Sequence, residues 1–251
     1  MAIKFISLNM WNGGVLMEGL LDFLVAQDAD VVLLQEVYDG TNPGLPTRYR
    51  SLETLLSRLP YTHHDFVADY LERDDCRRGN AILSKHPIGR RSALFYDKPY
   101  SETYVDGPEN AHNLPRNIQY ALVNTPEHDV HVFNIHGVWD LDGNNFSEAR
   151  QLMGEAMVAS VKDKRKVVLA GDTNALPTNR AIQHMKPHVK SVFEGHMQTS
   201  FNLKRKTHPG YATSVVDMLF TDHETQVLSR ECPAVDISDH LPLVATLEFG
   251  M

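Results

Sequence analysis

Asp172 and Asn174 stand two residues apart, directly after Gly171 and the apolar run at residues 167–170. A short apolar run that ends at glycine is typical of a buried strand, and side chains two residues apart in an extended backbone point to the same side. A carboxylate binds hard cations or accepts a proton, and an amide donates to an anionic oxygen such as that of a phosphate. The pair therefore predicts metal or phosphate chemistry, while an Asx turn that only closes the strand explains the same two residues.

The same arrangement recurs elsewhere, because Asn9, Glu36 and His136 each follow an apolar run of strand length. Polar groups at the ends of several strands of one sheet converge on one edge of that sheet. Asp217, on a late apolar strand, and the segment 238–240 (Ser-Asp-His) are further candidates for this edge. The pattern predicts one shared site.

Each of these residues has an alternative explanation when taken alone. Asn9 and Asp239 suit turns, Glu36 suits a cap or the solvated surface, and a hydrogen-bonded histidine such as His136 is common in protein cores. Four strand ends of the same kind in one chain favour a shared site over four coincidences.

Composition limits the classes of protein that the chain can belong to. It has 251 residues, 42% of them hydrophobic and 22% charged, with a net charge of −8. The acidic balance argues against a protein that coats nucleic acid through bulk charge, but not against an enzyme that acts on a phosphate ester. None of the apolar runs approaches the ~20 residues that a membrane helix needs. We expect a globular protein that does not enter a membrane.

The two cysteines, Cys76 and Cys232, are too few for a disulfide framework, and we expect free thiols. Residues 1–8 lack the basic start and the long apolar stretch of a secretory leader and instead predict a strand. These two features together predict a cytoplasmic location. We also expect a monomer.

Strand runs outnumber helical ones, and the helical runs fall between them. This order predicts a layered α/β sandwich of two packed sheets with helices outside, in a single domain over residues 1–251. We expect residues 74–78 to form a charged loop, and residues 79–85 and 87–95 to form consecutive strands of one meander. Residues 96–114 predict a long loop that is functional or mobile.

Three tyrosines of that loop, Tyr96, Tyr100 and Tyr104, are candidates for stacking on a base or ring, with loose surface packing as the alternative. Basic residues cluster at 77–78, 90–91 and 204–206, where runs of charge usually belong to a solvated surface. The pair at 77–78 is the best candidate for a phosphate contact, because it precedes a predicted strand.

Seven segments spread over the whole chain together form a recognisable set. They are SLNMW (7–11), LLQEV (33–37), GNAILSKHPI (79–88), FNIHGVW (133–139), VLAGDTNALP (168–177), VVDMLF (215–220) and SDHLPL (238–243). This set resembles the endonuclease/exonuclease/phosphatase superfamily, which includes deoxyribonuclease I and the abasic-site endonucleases, and its arrangement is most like that of small bacterial members. The resemblance implies a deoxyribonuclease I-like, four-layered α/β sandwich and an attack of water on a phosphate ester that depends on Mg²⁺ or Mn²⁺.

The resemblance also implies a role for each matched residue. By position, the metal is held mainly by Glu36, with help from Asn9 and Asp239. Asp172 orients and deprotonates the water, and Asn174 holds a phosphate oxygen. His240 pairs with Asp217 and, together with His136, faces the phosphorus. Arg116 contacts the phosphate.

The leading hypothesis is a phosphodiester hydrolase, either a nuclease or an enzyme for small diesters. The partner is then a phosphate ester, with nucleic acid at a short or single-stranded site as one candidate. A sugar-, nucleotide- or lipid-phosphatase of the same fold is the alternative, as is a phosphate-binding module without turnover. The module is disfavoured, because none of the residue types needed for catalysis is replaced.

Overall fold

The computed structural model describes residues 1–73, 75–140 and 144–250, and its core is two six-stranded β-sheets. In the first sheet the strands lie in the order β11-β12-β1-β2-β4-β3. β1 is parallel to β2 and antiparallel to β12. The bounds are β1 (Ala2–Asn9), β2 (Val31–Asp39), β3 (His63–Arg73), β4 (Cys76–Ser84), β11 (Gln226–Glu231) and β12 (Leu243–Glu248).

The second sheet has the order β5-β6-β7-β8-β10-β9. β6 and β7 form the antiparallel hairpin that the sequence predicts, and β7 and β8 are parallel. The bounds are β5 (Ile88–Phe95), β6 (Asn117–Asn124), β7 (Asp129–His136), β8 (Val167–Asp172), β9 (Lys190–Ser191) and β10 (Asp217–Thr221).

Helices cover the outer face of each sheet, which confirms the four-layered α/β sandwich. They are α1 (Met17–Gln27), α2 (Ser51–Arg58), α3 (Glu148–Val161) and α4 (Arg180–Gln183). Leu20 of α1 and Leu55 of α2 pack with Leu8 of the first sheet. Met157 of α3 packs with Leu169 of the second sheet. Ser147 caps α3, since its hydroxyl accepts the N–H of Arg150.

Both faces of the central strands are buried, which explains their nearly continuous apolar sequence. Ile6 and Leu8 of β1 face the helices, whereas Ile3 and Phe5, which alternate with them, face the second sheet. The layer between the sheets is apolar at one end only. At the other end the same inward rows carry buried polar side chains.

Gln35, Asn134 and Gln119 mark this change and are fully buried. The Nε2 of Gln35 donates to Oδ1 of Asn134 at 2.7 Å, and Nδ2 of Asn134 donates to Oε1 of Gln119 at 3.2 Å. Nδ2 of Asn134 also reaches the carbonyls of Leu34 and Ala81 at 3.0 and 3.1 Å, beside an irregularity in the pairing of β2 with β4. The two sheets are therefore joined by hydrogen bonds just before the strands reach their polar ends.

The structure corrects two predictions about strands, one on the partner of β5 and one on where β4 begins. β5 does not continue a meander with β4; it pairs with β6 in the other sheet, so the chain crosses between the sheets near Pro87. The predicted charged loop at residues 74–78 is also wrong, because Cys76, Arg77 and Arg78 belong to β4, while Asp74 lies outside the described residues. The first prediction failed because hydrophobic patterning indicates strands but not their partners. The second failed because the charged residues at the start of β4 are held in the strand by pairing with β2 and β3.

The long segment at residues 96–114 contains one short 3₁₀ helix, Pro108–Asn113, and no regular strand. Tyr96 is buried and its hydroxyl donates to the carbonyl of His136 at 2.8 Å. Tyr104 packs edge-on against Tyr70 with ring centroids 4.7 Å apart, whereas Tyr100 is exposed. Two of the three candidate stacking rings are thus committed to packing within the protein.

Both cysteines are free thiols, as predicted. In the part of the chain that the structure describes, no helix combines the length and the apolarity needed to cross a membrane.

Candidate active site

The site forms at one edge of the sandwich, where β1, β7 and β8 end and where an irregularity interrupts β2 between Leu34 and Val37. Asn9 of β1 pairs with Gln35 of β2, and His136 of β7 pairs with Asp172 of β8. Asp217 begins β10 directly opposite Asp172. The predicted convergence of strand ends is observed for Asn9, His136 and Asp172. Glu36 joins them from within β2, which does not stop there as the sequence predicted but continues to Asp39.

Gly171 permits the close approach of β7 and β8 beside this edge. Its φ of +148° is unfavourable for residues with a side chain, and a Cβ atom there would lie 1.9 Å from the carbonyl oxygen of Ile135. Any side chain would separate the two strands that carry His136 and Asp172.

Asp217, His240, Asp172 and His136 form a buried chain of acids and imidazoles. Nδ1 of His240 lies 2.8 Å from Oδ2 of Asp217. Oδ2 of Asp172 lies 3.8 Å from Nε2 of His240 and 3.7 Å from Nε2 of His136. One carboxylate oxygen of Asp172 thus faces both imidazoles.

The two histidines differ in charge because their neighbours differ. Burial lowers the pKa of His240, but the carboxylates of Asp217 and Asp172 outweigh it and raise the pKa to about 10. Burial also lowers the pKa of His136, and there the charges of Arg116 and Arg78 lower it further. At neutral pH His240 is a cation and His136 is neutral.

Asp172 and Asn174 do not share one face of a strand, which corrects the expectation from an extended backbone. β8 ends at Asp172, and Asn174 adopts a left-handed conformation with φ of +50°. Its backbone N–H donates to Oδ1 of Asp172 at 2.9 Å, as in the Asx turn of the alternative explanation. Its Nδ2 donates to the carbonyl of Gly137 at 3.3 Å, which keeps the amide beside the chain of acids and imidazoles. Burial raises the pKa of Asp172, and Asp217 adds to this effect, while the charge of His240 opposes it.

Glu36 lies in the irregularity of β2 and has a left-handed backbone with φ of +62°. Its Oε1 contacts Nη2 of Arg78 at 2.9 Å and accepts Nδ2 of Asn9 at 3.1 Å. Its Oε2 accepts the N–H of Asn12 at 2.6 Å. Burial raises the pKa of Glu36, but Arg78 and the N–H of Asn12 outweigh it and lower the pKa to about 2. The group is therefore a carboxylate at neutral pH.

Asp239 completes the set of predicted metal ligands. Its Oδ2 lies 3.0 Å from Nζ of Lys206. The hydroxyl of Ser238 donates to the carbonyl of Asn9 at 2.6 Å and lies 3.4 Å from Oδ1 of Asp239, so it ties the last loop to the end of β1. Asn9, Glu36 and Asp239 thus belong to one connected cluster.

The oxygens of Asn9, Glu36 and Asp239 are hard donors of the kind that Mg²⁺ and Mn²⁺ prefer. Asp172, Asp217 and His240 also have potential ligand atoms within 4.8 Å of one another. That trio is less suitable for Mg²⁺, which prefers oxygen ligands, because one of its members is an imidazole whose Nδ1 already lies 2.8 Å from Oδ2 of Asp217. The carboxylates of Glu36 and Asp239 therefore fit a divalent ion. The Oδ1 of Asn9 accepts the N–H of Trp11 at 3.1 Å, and its Nδ2 faces Glu36.

Arg116 lies just before β6, is only 4% exposed, and borders the same edge. Its Nη1 is 3.5 Å from Oδ2 of Asp69, and neither its Nε nor its Nη1 has a hydrogen-bond partner among the described residues. Burial raises the pKa of Asp69 to about 6, although Arg116 and Arg78 pull it down. With Tyr96 and Trp139, Arg116 lines a cavity of about 350 Å³. The guanidinium therefore retains donors for an anionic group.

Sequence reasoning did not predict the contacts of three residues that support the site, although it named the pair at 77–78 as a candidate for a phosphate contact. Arg78 lies on the inward row of β4 together with Asn80 and Ile82. Its neighbour Arg77 points outward and pairs with Asp39 at the surface. This period of two is the signal in the sequence that distinguishes the two arginines. Lys206 lies in a basic loop and gave no signal of its own. Arg150 of α3 is buried and donates from Nη2 to the carbonyl of Asn174 at 2.7 Å, so it holds the turn.

Comparison with solved structures gives the same architecture. The structure resembles an endonuclease/exonuclease/phosphatase from Beutenbergia cavernae DSM 12333 with a TM-score of 0.74 and 19% identity, over 99% of this chain and 72% of that one. It resembles the human Nocturnin catalytic domain with bound sulfate, with a TM-score of 0.71 and 15% identity, over 99% of this chain and 95% of that one. It resembles the mannosyl-6-phosphatase Bt3783 of Bacteroides thetaiotaomicron VPI-5482 with a TM-score of 0.72 and 17% identity, over 98% of this chain and 100% of that one. No curated protein matches the sequence.

The fold and the cluster of acids and imidazoles together define a deoxyribonuclease I-like α/β sandwich. The family model described as Endonuclease/Exonuclease/phosphatase family matches residues 6–240. The chain belongs to this family, whose members are phosphoesterase hydrolases.

Proposed function

We propose that the protein is a divalent-metal-dependent phosphoesterase that hydrolyses a phosphodiester by attack of water, within a single domain over residues 1–251. The observation that carries the proposal is the buried chain of Asp217, His240 and Asp172 beside the carboxylate of Glu36. A carboxylate that faces a cationic imidazole can take a proton from water while the imidazole stabilises a developing anion.

Each residue contributes a separate action in this proposal. Asp172 accepts the proton of the attacking water, since it is buried and its pKa is raised. His240 is held cationic by Asp217 and stabilises the negative charge on phosphoryl oxygens. His136 faces the same oxygen of Asp172 as a neutral group, and Asn174 donates to a phosphate oxygen.

Arg116 supplies a second positive charge for the phosphate, since its donors are not fully used. Asn9, Glu36 and Asp239 would hold Mg²⁺ or Mn²⁺. When bound, this ion supplies Lewis-acid stabilisation of charge on the phosphate.

The acidic net charge favours small diesters or short single-stranded sites over long duplexes as the substrate. A phosphatase for monoesters is the second candidate. The structural likeness to a protein named as a mannosyl-6-phosphatase favours it, at 17% identity.

The deciding experiment is hydrolysis of bis-p-nitrophenyl phosphate against p-nitrophenyl phosphate, with Mg²⁺, Mn²⁺ or EDTA. We expect metal-dependent cleavage of the diester. Faster cleavage of the monoester would favour the phosphatase, and no cleavage of either with any metal would contradict the proposal.

Glu36→Gln provides a separate test of the metal site. It removes a full negative charge from Glu36, whose pKa is about 2, so we expect the Mg²⁺ titration of activity to shift to higher concentration. An unchanged Mg²⁺ titration would exclude Glu36 as a ligand.

A further inference from the structure

Each of the two carboxylates assigned to the metal carries a cationic side chain as its partner. Nη2 of Arg78 lies 2.9 Å from Oε1 of Glu36, and Nζ of Lys206 lies 3.0 Å from Oδ2 of Asp239. A divalent ion that binds these carboxylates shares them with two positive charges already in place. The two cations differ in how firmly they are held.

Arg78 cannot leave its position without disrupting the first sheet. It is 5% exposed and lies in β4, which pairs on both sides. Its Nη1 donates to the hydroxyl of Tyr70 at 2.7 Å, and its guanidinium also lies over the Tyr70 ring. Arg78 is therefore a permanent partner of Glu36.

Lys206 is held far less firmly. It lies outside the strands and helices, its side chain is one third exposed, and its Nζ contacts Asp239 and lies 5.6 Å from the centre of the Tyr211 ring. A lysine ammonium is a compact charge on a flexible stem of four carbons, and it forms no fixed fork of donors as arginine does. The contact can break by rotation of the side chain alone.

Asp239, in contrast, needs a cation. The residue is only 5% exposed, and a buried carboxylate without a positive partner is strongly unfavourable. Lys206 also interacts electrostatically with Glu36, so its charge acts on both carboxylates. An ammonium group and a divalent ion at this place compete for the same oxygen and repel one another.

We propose that Lys206 is a displaceable counter-ion of Asp239: its ammonium and the divalent cation exclude each other at this carboxylate, and Lys206 lets go when the cation binds. The inference rests on the metal site of the proposed function and adds a residue that weakens metal affinity. Lys206 would keep the metal exchangeable, because Asp239 has a positive partner whether the divalent cation is bound or not.

The test is calorimetric titration of Mn²⁺ into the full chain, without substrate. Lys206→Met removes the competing charge and is expected to bind Mn²⁺ at least about tenfold more tightly than the wild type, since two like charges a few ångströms apart repel one another strongly near a protein surface. Lys204→Met is the matched control, because it makes the same charge change in the same loop at an exposed side chain. Its affinity is expected to stay within about twofold, as distant surface charges are screened.

Lys206→Arg keeps the charge and is expected to bind Mn²⁺ as weakly as the wild type does. Lys206→Gln replaces Lys206→Met if the methionine variant does not fold. Equal affinity in the neutral variants at positions 206 and 204, or weaker binding at 206, would overturn the inference while leaving the metal site intact. No Mn²⁺ binding by the wild type or any variant would instead overturn the metal site, and the inference with it.

Melting temperature gives a second readout that does not depend on activity. Without Mn²⁺, Lys206→Met is expected to melt below Lys204→Met, because Asp239 is left unpaired. With saturating Mn²⁺ the gap is expected to close. A gap that persists unchanged would show a purely structural ion pair and would contradict displacement.

Discussion

The layer between the two sheets has an apolar end and a polar end, and the same strands supply both. On β1 the inward row changes from Ile3 and Phe5 to Ser7 and Asn9. The inward row of β7 changes in the same way, from apolar side chains to Asn134 and then His136. The fold is continuous across this change, and only the side chains differ.

The two ends also differ in how well their polar atoms are satisfied. Most of the described buried side-chain atoms without a hydrogen-bond partner lie at the polar end, where a protein that needed only stability would place apolar groups. The apolar end therefore stabilises the fold, whereas the polar end leaves buried polar groups available to a ligand. The atoms at the polar end belong to Ser7, Gln35, Asp69, Arg78, Asn80, Arg116 and His136.

The largest effect on turnover is expected at the polar end. His240→Ala and Asp172→Asn should each lower kcat by at least ~10²-fold. The first removes the positive charge that stabilises the phosphoryl oxygens, and the second removes the group that accepts the proton of water. Steady-state kinetics on the preferred nitrophenyl ester measure this, with circular dichroism as the check of folding. His64→Ala, at an exposed histidine of β3, is the control and should keep the wild-type rate. Near wild-type turnover of His240→Ala would refute the proposed mechanism.

The largest effect on stability is expected at the apolar end. Leu33→Ala leaves a cavity between the sheets and should lower the free energy of unfolding by about 2–5 kcal/mol. Denaturant titration measures the loss, and the folded fraction should keep its kcat. Leu228→Ala, at an exposed position of β11, should change stability by less than about 0.5 kcal/mol. A large fall in kcat for folded Leu33→Ala would show that the two ends are not separable.

The pH profile tests how the polar end is charged. His240 is cationic below its pKa of about 10, so activity should fall as pH rises through that value. Asp172 must be ionised, so activity should also fall as pH drops through its raised pKa. Asp217→Asn removes a carboxylate that raises both pKa values, and both limbs of the profile should move to lower pH, the alkaline limb by at least about one unit. An alkaline limb that does not move would contradict the pairing of Asp217 with His240.

The smallest effect is expected at the boundary between the ends. Asn134→Ala removes the partner of Gln35 and of two carbonyl groups, so it should cost about 1–3 kcal/mol of stability. A modest fall in kcat should accompany it, because Asn134 joins the strands that carry Glu36 and His136. Asn124→Ala is the matched control, since that amide bonds Asp129 near the surface. Identical stability of the two variants would show that the boundary has no structural role.

Much of this site is predictable from strand ends. The apolar runs before Asn9, His136 and Asp172 show where buried strands stop, and parallel pairing brings such ends together. Glu36 was placed correctly at this edge, although it lies at an irregularity within β2 rather than at its end. The pairing of Asp217 with His240 was predicted only through the resemblance, since the two residues are 23 positions apart and no local pattern connects them.

Other features depend on contacts that no local pattern encodes. Arg78 and Lys206 stand in charged segments that are typical of solvated surface, yet one is buried against Glu36 and the other contacts Asp239. The partner of β5 was predicted wrongly, because residues 79–95 alone do not show that the chain changes sheets at Pro87.

The sequence by itself determined the family, the strand and helix runs, and the types of residue available for catalysis. Period-two burial and turn chemistry act over a few residues, so they can be read along the chain. Only the tertiary structure decided which charges meet, that Glu36 and Asn174 adopt left-handed backbones, and that His136 is neutral while His240 is cationic. These properties arise from burial and from charges on distant strands, and they exist only once the two sheets have packed together.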